Sequence, residues 1–467
     1  GWVKPKYCFP VAGIGIIGGL WSTWQTAQSV WTTGPISYHL AGWTPPIGIE
    51  YFIDHLTLLM AAVVLGVAFL SWIYSYRLVQ DELSHQVGGF YTLYLLLVTG
   101  LLGISLTGDV FNLYVLIEIA AISSYGLLAL GKGRGYFSTF NYLIMGSIGA
   151  CFYLLGVGYL FIQTGTLNMA DLFQSLVLQH GTHALLVAAL FVMIGVWIKM
   201  AFFPFHGVVS NAYTFSPTAV TCLAAPLLTK VYAYVMIRLM FSVFSAQYML
   251  KVLPWQPVVM AMASIWIIVG SLYALMQTDL RRMATYILVA ELGYIVGGIW
   301  LGHQYGVAGA LYHILSDAAM MLALFMVIGA IVYRTGSSSF DALKGACSQM
   351  RLEVFALILT GVAIVGIPPS CGFFSKWYLI LGALYTQSWA FMGALLFASL
   401  TNAVLFYRLI ALAYFESPLK KYTPSRALPL SMASPMIFSA AGLLLIGIFT
   451  MTILRYVVDY SIPVGMS

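Results

Sequence analysis

The sequence predicts an all-α membrane protein that crosses the bilayer about thirteen times. Of its 467 residues, 61% are hydrophobic and only 7% are charged, whereas soluble domains carry about 25% charged residues. Apolar stretches long enough to span the hydrocarbon core, about 20 residues each, recur along the whole chain. Because lipid cannot satisfy backbone polar groups, each stretch is expected to be a helix.

The predicted spans follow one another with short polar connections. No polar segment is long enough to form a water-soluble domain. The spans cover residues 9–31, 55–76, 87–107, 109–130, 138–163, 184–203, 217–243, 256–277, 283–301, 305–333, 354–383, 388–412 and 433–457.

The positive charges predict the orientation. With the N-terminus in the cytoplasm and the sides alternating, the opposite side holds only Lys251 and Arg455. This asymmetry follows the positive-inside rule, so the net charge of +6 reflects topology rather than nucleic-acid binding. Arg238 and Arg408 lie near helix ends, from which long side chains can reach the interface. The cytoplasmic set is Lys4, Lys6, Arg77, Lys132, Arg134, Arg281, Arg282, Arg334, Lys344, Arg351, Lys420, Lys421 and Arg426.

Seven ionisable residues fall inside predicted spans, with Asp109 and His206 nearer the ends. A charge at the bilayer centre costs roughly 2.5–3.5 kcal/mol or more, so such residues usually face a cavity and mark an ion or proton path. The alternative is a set of buried ion pairs that only fixes helix packing. The spread of the residues over several helices favours a path. They are Glu118, Lys199, Lys230, Glu291, His313, Asp317 and Lys376.

Two of the charge-bearing spans contain helix breakers. Proline removes a backbone hydrogen bond, and unwound backbone at membrane depth survives only inside protein or beside a cavity. We therefore predict two discontinuous helices, in corresponding positions of two inverted five-helix repeats; ordinary proline kinks are the alternative. The breakers are Pro204 and Gly207 after Lys199, and Gly366, Pro368, Pro369 and Gly372 before Lys376. The predicted organisation is N-terminal helices in 1–82, repeats in 83–246 and 250–412, and a C-terminal helix in 413–467.

The cysteine pattern argues against a metal or redox centre. The five cysteines are scattered, with no CxxC motif and no His/Cys cluster. No Gly-rich nucleotide loop is present either. We therefore expect no cofactor, no metal and no enzymatic activity of the chain on its own, and we place any redox or ATP chemistry in another polypeptide.

Eight motifs follow one another along nearly the whole chain. They are "GWTPPIGIEYFID" (42–54), "LTGDVFNLYVLIEI" (106–119), "TGTLNMADL" (164–172), "KMAFFPFHGVVSNAY" (199–213), "LLTKVYAY" (227–234), "DLRRMATY" (279–286), "GALYHILSDA" (309–318) and "GIPPSCGFFSKW" (366–377). Together they resemble the proton-conducting antiporter-like subunits shared by Mrp-type cation/proton antiporters, complex I and membrane-bound hydrogenases. The nearest resemblance is to the D-subunit branch of the Mrp-type antiporters.

The resemblance implies a proton-relay role for the matched positions. Glu118 is similar to the family's essential glutamate, paired with Lys199 on a broken helix. Lys230 resembles the lysine that links two half-channels, and Lys376 resembles the terminal lysine of the second broken helix. Asp317 matches an aspartate of the D-subunit branch. Glu118 would then control the charge of Lys199, since removing one partner of a buried pair costs roughly 3–5 kcal/mol.

The sequence departs from the family pattern at three places. The chain begins with Gly just ahead of what resembles the family's second helix, so we expect a further helix to precede residue 1. Met321 stands where the family has a lysine, four residues after Asp317. Glu291 stands where the family usually has Gln or His. The last two departures leave open whether the second half-channel conducts.

We predict that Glu291 replaces the missing lysine as a proton carrier. The path would run from Lys230 through Glu291, with His313 or Asp317, to Lys376. The alternative is that Glu291 only neutralises a nearby lysine. A separation of more than about 10 Å from every other embedded ionisable group would exclude a relay, because proton transfer needs hydrogen-bond contact or a short water chain.

The predicted function is that of an ion-translocating subunit in a multisubunit complex of a prokaryotic inner (plasma) membrane. It would move protons, with exchange for Na⁺ left open, and its partners would be other membrane subunits and lipid. One alternative is the membrane module of a redox-driven pump. Another is a non-conducting scaffold that anchors a soluble enzyme, such as an inorganic-carbon uptake partner, which Met321 favours slightly. The coupling ion, the stoichiometry and the partner subunits stay open.

Overall fold

The computed structural model describes residues 4–131, 133–177, 182–419, 422, 424, 426–458 and 460. Eleven of the helices in this part are long and apolar enough to cross a membrane. The two remaining predicted spans correspond to the first helix and to an interrupted helix pair near the end of the second repeat. The prediction of an all-α, multi-pass bundle is therefore confirmed. Lys132, Lys420 and Lys421 of the predicted cytoplasmic set lie outside the described residues.

Helices make up most of the chain. In chain order, the helices and strands are α1 (Pro5–Thr33), β1 (Ile36–His39), β2 (Glu50–Ile53), α2 (His55–Glu82), α3 (Val87–Leu106), α4 (Val110–Leu128), α5 (Arg134–Thr164), α6 (Met169–Val177), α7 (His183–Met200), α8 (Gly207–Phe215), α9 (Thr218–Ser242), α10 (Gln256–Met276), α11 (Leu280–Trp300), α12 (Gln304–Thr335), α13 (Ala346–Gln349), α14 (Arg351–Val365), α15 (Cys371–Tyr385), α16 (Trp389–Phe415), α17 (Leu430–Ile448) and α18 (Thr450–Ile453). Short 3₁₀ turns occupy Leu40–Gly42 and Phe340–Leu343, and π-helical turns occupy Tyr248–Val252 and Leu454–Val458.

Three helices form the centre of the bundle. The best spanning segments of α9, α11 and α12 are buried over 100%, 94% and 89% of their residues, against 39% for α5 and α16. Four of the seven predicted membrane-embedded ionisable residues lie on these three helices: Lys230, Glu291, His313 and Asp317. Their charges therefore face protein rather than lipid, which lowers the cost of keeping them in the membrane.

The two groups of five spans repeat several local contacts. Asp109 caps α4 and pairs through its backbone with Asn168, as Asp279 caps α11 and pairs with Ser339. The caps satisfy helix N–H groups that lipid would leave unpaired. In the same way, α3 packs closely on α4 at Gly100 and α10 packs closely on α11 at Gly270. These parallels agree with a repeat, and its inverted symmetry stays a prediction.

Both helices that were predicted to be discontinuous are interrupted. The first ends at Met200, continues through Ala201 in the left-handed conformation (φ 59°) and Pro204, and resumes as α8. The second ends at Val365, and Gly366 adopts φ 88° before α15 begins. A positive φ ends a helix because the next residue cannot continue the backbone hydrogen-bond ladder. Inside the bundle, each break therefore leaves helix-end carbonyl groups that no N–H group of the same helix can bind.

A two-stranded antiparallel hairpin, β1–β2, was not predicted from the sequence. Its register pairs Ile36 with Ile53 and His39 with Glu50. The hairpin is fastened to the α3–α4 connection by the bond from Gly108 N–H to the Glu50 carbonyl oxygen, at 2.9 Å. This contact places the hairpin at the same end of the bundle as the C-terminal ends of α3 and α9, where it forms part of the wall of a cavity.

Candidate functional site

The first charged pair joins α4 to the first broken helix. The Nζ atom of Lys199 lies 2.7 Å from Oε1 of Glu118, and the two side chains are 4% and 26% exposed. Lys199 belongs to the last turn of α7, where carbonyl groups released by the break favour a positive charge. The pairing that the resemblance implied is therefore present in the geometry.

Two small cavities flank Lys199. Each has a volume of about 10 Å³, which is close to the space that one water molecule needs. Tyr232 of α9 lines both cavities, so they lie between the first broken helix and α9.

The second charged pair lies in the centre of the bundle. The Nζ atom of Lys230 is 2.8 Å from Oδ2 of Asp317, and both side chains are fully buried. The two groups therefore form a buried ion pair. Met321 follows one helical turn after Asp317 and is also fully buried, so it places only an apolar thioether where the family pattern has a lysine.

A third group surrounds Asp317. A carboxylate oxygen of Glu291, one of Asp317 and a ring nitrogen of His313 all lie within 4.8 Å of one another, and all three residues are buried. The imidazole Nε2 of His313 is 3.5 Å from Oε2 of Glu291, and its Nδ1 is 2.9 Å from the hydroxyl of Ser375. The cluster is small enough to enclose a cation or a water molecule. A protonated Lys230 beside Asp317 repels a cation, so this set of groups suits a shared proton or a water better than a metal ion.

Lys376 lies where the second broken helix releases its carbonyl groups. Its ammonium donates to the carbonyl oxygens of Ile364 and Val365 at 2.6 and 3.3 Å. It also donates to the hydroxyl of Ser399 at 3.2 Å, and it lies 5.5 Å from the ring centroid of Tyr294. The negative end of the half-helix and the aromatic face both favour a protonated amine. The break after Val365 thus creates the binding site for the ammonium by ending α14.

Buried polar atoms on α7, α9, α10 and α11, and at the first helix break, indicate internal water. Within the part of the chain that the structure describes, several such atoms have no protein partner. Buried polar groups of this kind are normally satisfied by ordered water. They include Thr229 Oγ1, Tyr294 Oη, Trp197 Nε1, Trp266 Nε1, Trp300 Nε1 and His206 Nδ1. Asp109, in contrast, is occupied as the helix cap of α4.

The structure corrects the interpretation of Arg238 and adds a pair that the sequence did not reveal. Arg238 does not extend to the interface: its guanidinium binds both carboxylate oxygens of Asp54, with 2.7 Å between Nη1 and Oδ2. Asp54 also accepts a hydrogen bond from Thr57 N–H at the start of α2. The available signal was an aspartate directly before one apolar span and an arginine inside another.

Comparisons with known proteins agree with this arrangement. Residues 107–401 match the family described as NADH:quinone oxidoreductase/Mrp antiporter, transmembrane. Over 447 residues the chain is 38% identical to the NADH-quinone oxidoreductase subunit N of Desulforudis audaxviator, covering 92% of this chain and 88% of that protein. Over 418 residues it is 27% identical to the D subunit of the Na(+)/H(+) antiporter of Alkalihalophilus pseudofirmus, covering 89% and 83%.

A solved structure shows the same fold. A chain of the membrane-bound sulfane sulfur reductase, an archaeal respiratory membrane complex, aligns with a TM-score of 0.88 and 28% identity, over 99% of this chain and 92% of that one. The family match covers more than half of the chain, and the relatives extend it over nearly the full length. The chain therefore belongs to the NADH:quinone oxidoreductase/Mrp antiporter family of antiporter-like, multi-pass membrane subunits.

Proposed function

We propose that this subunit carries protons through the membrane along its buried charged side chains. The observation that carries the proposal is the Lys230–Asp317 pair, which is fully buried and lies between two further groups of ionisable residues. Keeping such charges in a membrane protein is costly and usually serves transport. The proposed carriers, in order, are Glu118, Lys199, Lys230, Asp317, Glu291, His313 and Lys376.

In the first half, Glu118 controls whether Lys199 holds its proton. When Glu118 is neutralised or moves away, the ammonium of Lys199 loses its partner, and a buried unpaired charge costs roughly 3–5 kcal/mol. Lys199 then releases the proton toward Lys230 through water in the cavities that Tyr232 lines.

In the second half, the proton passes from the Lys230–Asp317 pair to Lys376. One polar atom each of Glu291 and His313 lies within 4.8 Å of a carboxylate oxygen of Asp317, and Glu291 and His313 are 3.5 Å apart. Ser375 binds His313 at 2.9 Å and directly precedes Lys376 in the chain. The separation between Glu291 and its neighbours is therefore short enough for direct transfer or for a single water. This geometry supports Glu291 as the carrier that replaces the missing lysine at Met321.

The driving reaction belongs to partner subunits. The chain is similar both to a subunit of an NADH-quinone oxidoreductase and to a subunit of a Na(+)/H(+) antiporter, and the identity to the first is higher. A redox-driven pump is therefore the second candidate beside an Mrp-type antiporter. In both cases we place the subunit in a prokaryotic plasma membrane beside other membrane subunits and lipid. Lys4 and Lys6, at the start of α1, would lie on the cytoplasmic side, and the two five-helix repeats would be inverted.

The proposal is tested by replacing the central lysine in the intact complex. The complex is purified, its other subunits are identified by mass spectrometry, and driven proton transport is measured in sealed vesicles with a pH-sensitive dye. Lys230→Met should abolish transport while the complex still assembles. Lys251→Met, at an exposed lysine outside the buried series, is the control and should transport normally. Normal transport by Lys230→Met as well as by Lys251→Met would support a non-conducting scaffold instead.

A further inference from the structure

A cavity of about 350 Å³ lies at the end of α9 next to the hairpin. Its lining includes Glu50, Thr107, Phe173, Phe241 and Arg238. Among the α9 residues that line the cavity, Arg238 is the nearest to Lys230 along the helix. Glu50 gives the cavity a negative group on the hairpin side, which attracts cations and protons.

A polar face of α9 connects this cavity with the centre of the bundle. Lys230, Tyr234 and Arg238 are spaced four residues apart, so they lie on one face of the helix. The rise from Lys230 to Arg238 is about 12 Å, at ~1.5 Å for each residue. A proton carrier in the bundle centre therefore stands only two helical turns from a cavity that could accept its proton.

The hydroxyl of Tyr234 is occupied on both sides. It donates to the carbonyl oxygen of Ser105 at 2.6 Å and accepts from Nε of Arg238 at 2.9 Å. The hydroxyl of Thr57 lies further away, at 3.5 Å. A hydroxyl relays a proton only if it can accept one and pass its own to another carrier. The hydrogen of Tyr234 is held instead by a backbone carbonyl, which cannot pass it on.

The remaining groups around Arg238 are engaged in the same way. The hydroxyl of Thr57 accepts from Nη2 of Arg238 at 2.8 Å and donates to the carbonyl oxygen of Phe52 at 3.3 Å. The carboxylate of Asp54 binds the two Nη groups of Arg238 and the Thr57 N–H. The guanidinium of Arg238 thus holds the side chains of Tyr234, Thr57 and Asp54 in place.

Neither member of the Asp54–Arg238 pair can act as a proton carrier. A guanidinium stays protonated in proteins, and a fixed positive charge in a narrow passage opposes entering protons. Burial alone would raise the pKa of Asp54, just ahead of α2, but the charge of Arg238 and the hydrogen bonds hold that pKa below its ordinary value. Asp54 therefore stays ionised.

We propose that Asp54, Arg238 and Tyr234 form a proton barrier that separates Lys230 from the cavity. The proposal rests on the proposed function, because it assumes that Lys230 carries protons. The barrier keeps protons that reach Lys230 from leaving through the first half of the bundle, so that they continue to Asp317. Without the barrier, protons would leave Lys230 through the nearby cavity instead of passing to Asp317.

The test is the Arg238→Lys variant of the intact complex. Lysine keeps the positive charge and can still pair with Asp54, but its amine can release a proton, and Tyr234 loses the donor that occupies its lone pair. We measure the passive decay of an imposed pH gradient in sealed vesicles while the driving reaction is idle. The leak should rise more than about tenfold. Arg281→Lys is the matched control, because Arg281 donates to the Ser216 carbonyl oxygen and the Thr218 hydroxyl, away from the cavity.

A leak in Arg238→Lys no larger than in the wild type and in Arg281→Lys would overturn the barrier. If Arg238→Lys does not assemble, Asp54→Asn with Arg238→Gln replaces the ion pair by a neutral hydrogen-bonded pair, and it should leak as well; a tight double variant would also refute the proposal. Adding Lys230→Ala to a leaking variant should stop the leak, and persistence would mean that the leak does not start at Lys230. Driven transport reports on the proposed function and passive leak reports on the barrier, so either can fail alone.

Discussion

Lys230 of α9 and Asp317 of α12 are in contact at 2.8 Å with both side chains fully buried. The pair joins the two halves of the bundle, since α9 closes the first group of five spans and α12 lies in the middle of the second. The two halves therefore meet through a pair of charged side chains. Substitutions at the pair and at its neighbours should test its role one residue at a time.

Lys230→Arg should fail to transport although it keeps the positive charge. Arginine stays protonated at any accessible pH, so it can pair with Asp317 but cannot pass a proton on. Driven proton transport in vesicles is the measurement, with assembly checked by gel filtration. Wild-type transport by the arginine variant would reduce Lys230 to a fixed counter-charge.

Glu118→Gln should abolish transport and leave assembly intact. The amide preserves hydrogen bonding to Lys199, but it removes the negative charge that holds the ammonium 2.7 Å away. Asp171→Asn, a change of the same kind on α6 outside the buried series, is the control. Near-normal transport by Glu118→Gln would argue against the control of Lys199 by Glu118.

Glu291→Gln separates the relay from simple neutralisation. If Glu291 carries protons between the Lys230–Asp317 pair and Lys376, the variant should assemble normally and lose transport severely. If Glu291 only balances charge, the expected result is poor assembly or a mild defect. The two readouts, complex yield and transport per assembled complex, are measured on the same preparation.

Asp317→Asn should destabilise the subunit. It leaves the fully buried Lys230 without a charged partner, which costs roughly 3–5 kcal/mol. Replacing both residues, as in Lys230→Met with Asp317→Leu, should recover most of the stability but none of the transport. Thermal unfolding of the detergent-solubilised complex gives the comparison. A double variant as unstable as Asp317→Asn would contradict the pairing as the cause.

Gly366→Ala should weaken the second break. Gly366 has φ 88°, and a Cβ atom there would lie 3.2 Å from Cδ of Lys376. A left-handed conformation costs an alanine roughly 1–2 kcal/mol, and the contact would push Lys376 away from its carbonyl ligands. We expect lower thermal stability together with reduced transport. Gly393→Ala, in α16 where a Cβ atom would meet open space, should leave both unchanged.

The apolar spans, the two helix breaks and the embedded charges could be predicted from the sequence. Span length, proline and positive-φ glycine act locally, so short stretches such as 199–207 and 366–376 carry their own signal. The hairpin β1–β2 was missed because each strand has only four residues, too few to show a pattern of its own, and because β2 is held by the α3–α4 connection.

The partners of the charges were decided by the tertiary structure. The sequence places Arg238 near a helix end, but only packing brings it to Asp54, 184 residues away. The motifs implied the Glu118–Lys199 pair, whereas the contacts among Glu291, His313 and Asp317 depend on how α11 meets α12. The physical reason is that an apolar span becomes a helix in the membrane because lipid cannot satisfy its backbone polar groups. This requirement does not determine which side of the helix faces which neighbour. Which side chains face one another is set by the packing of α9, α11 and α12, and the cost of an unpaired buried charge then selects the pairs.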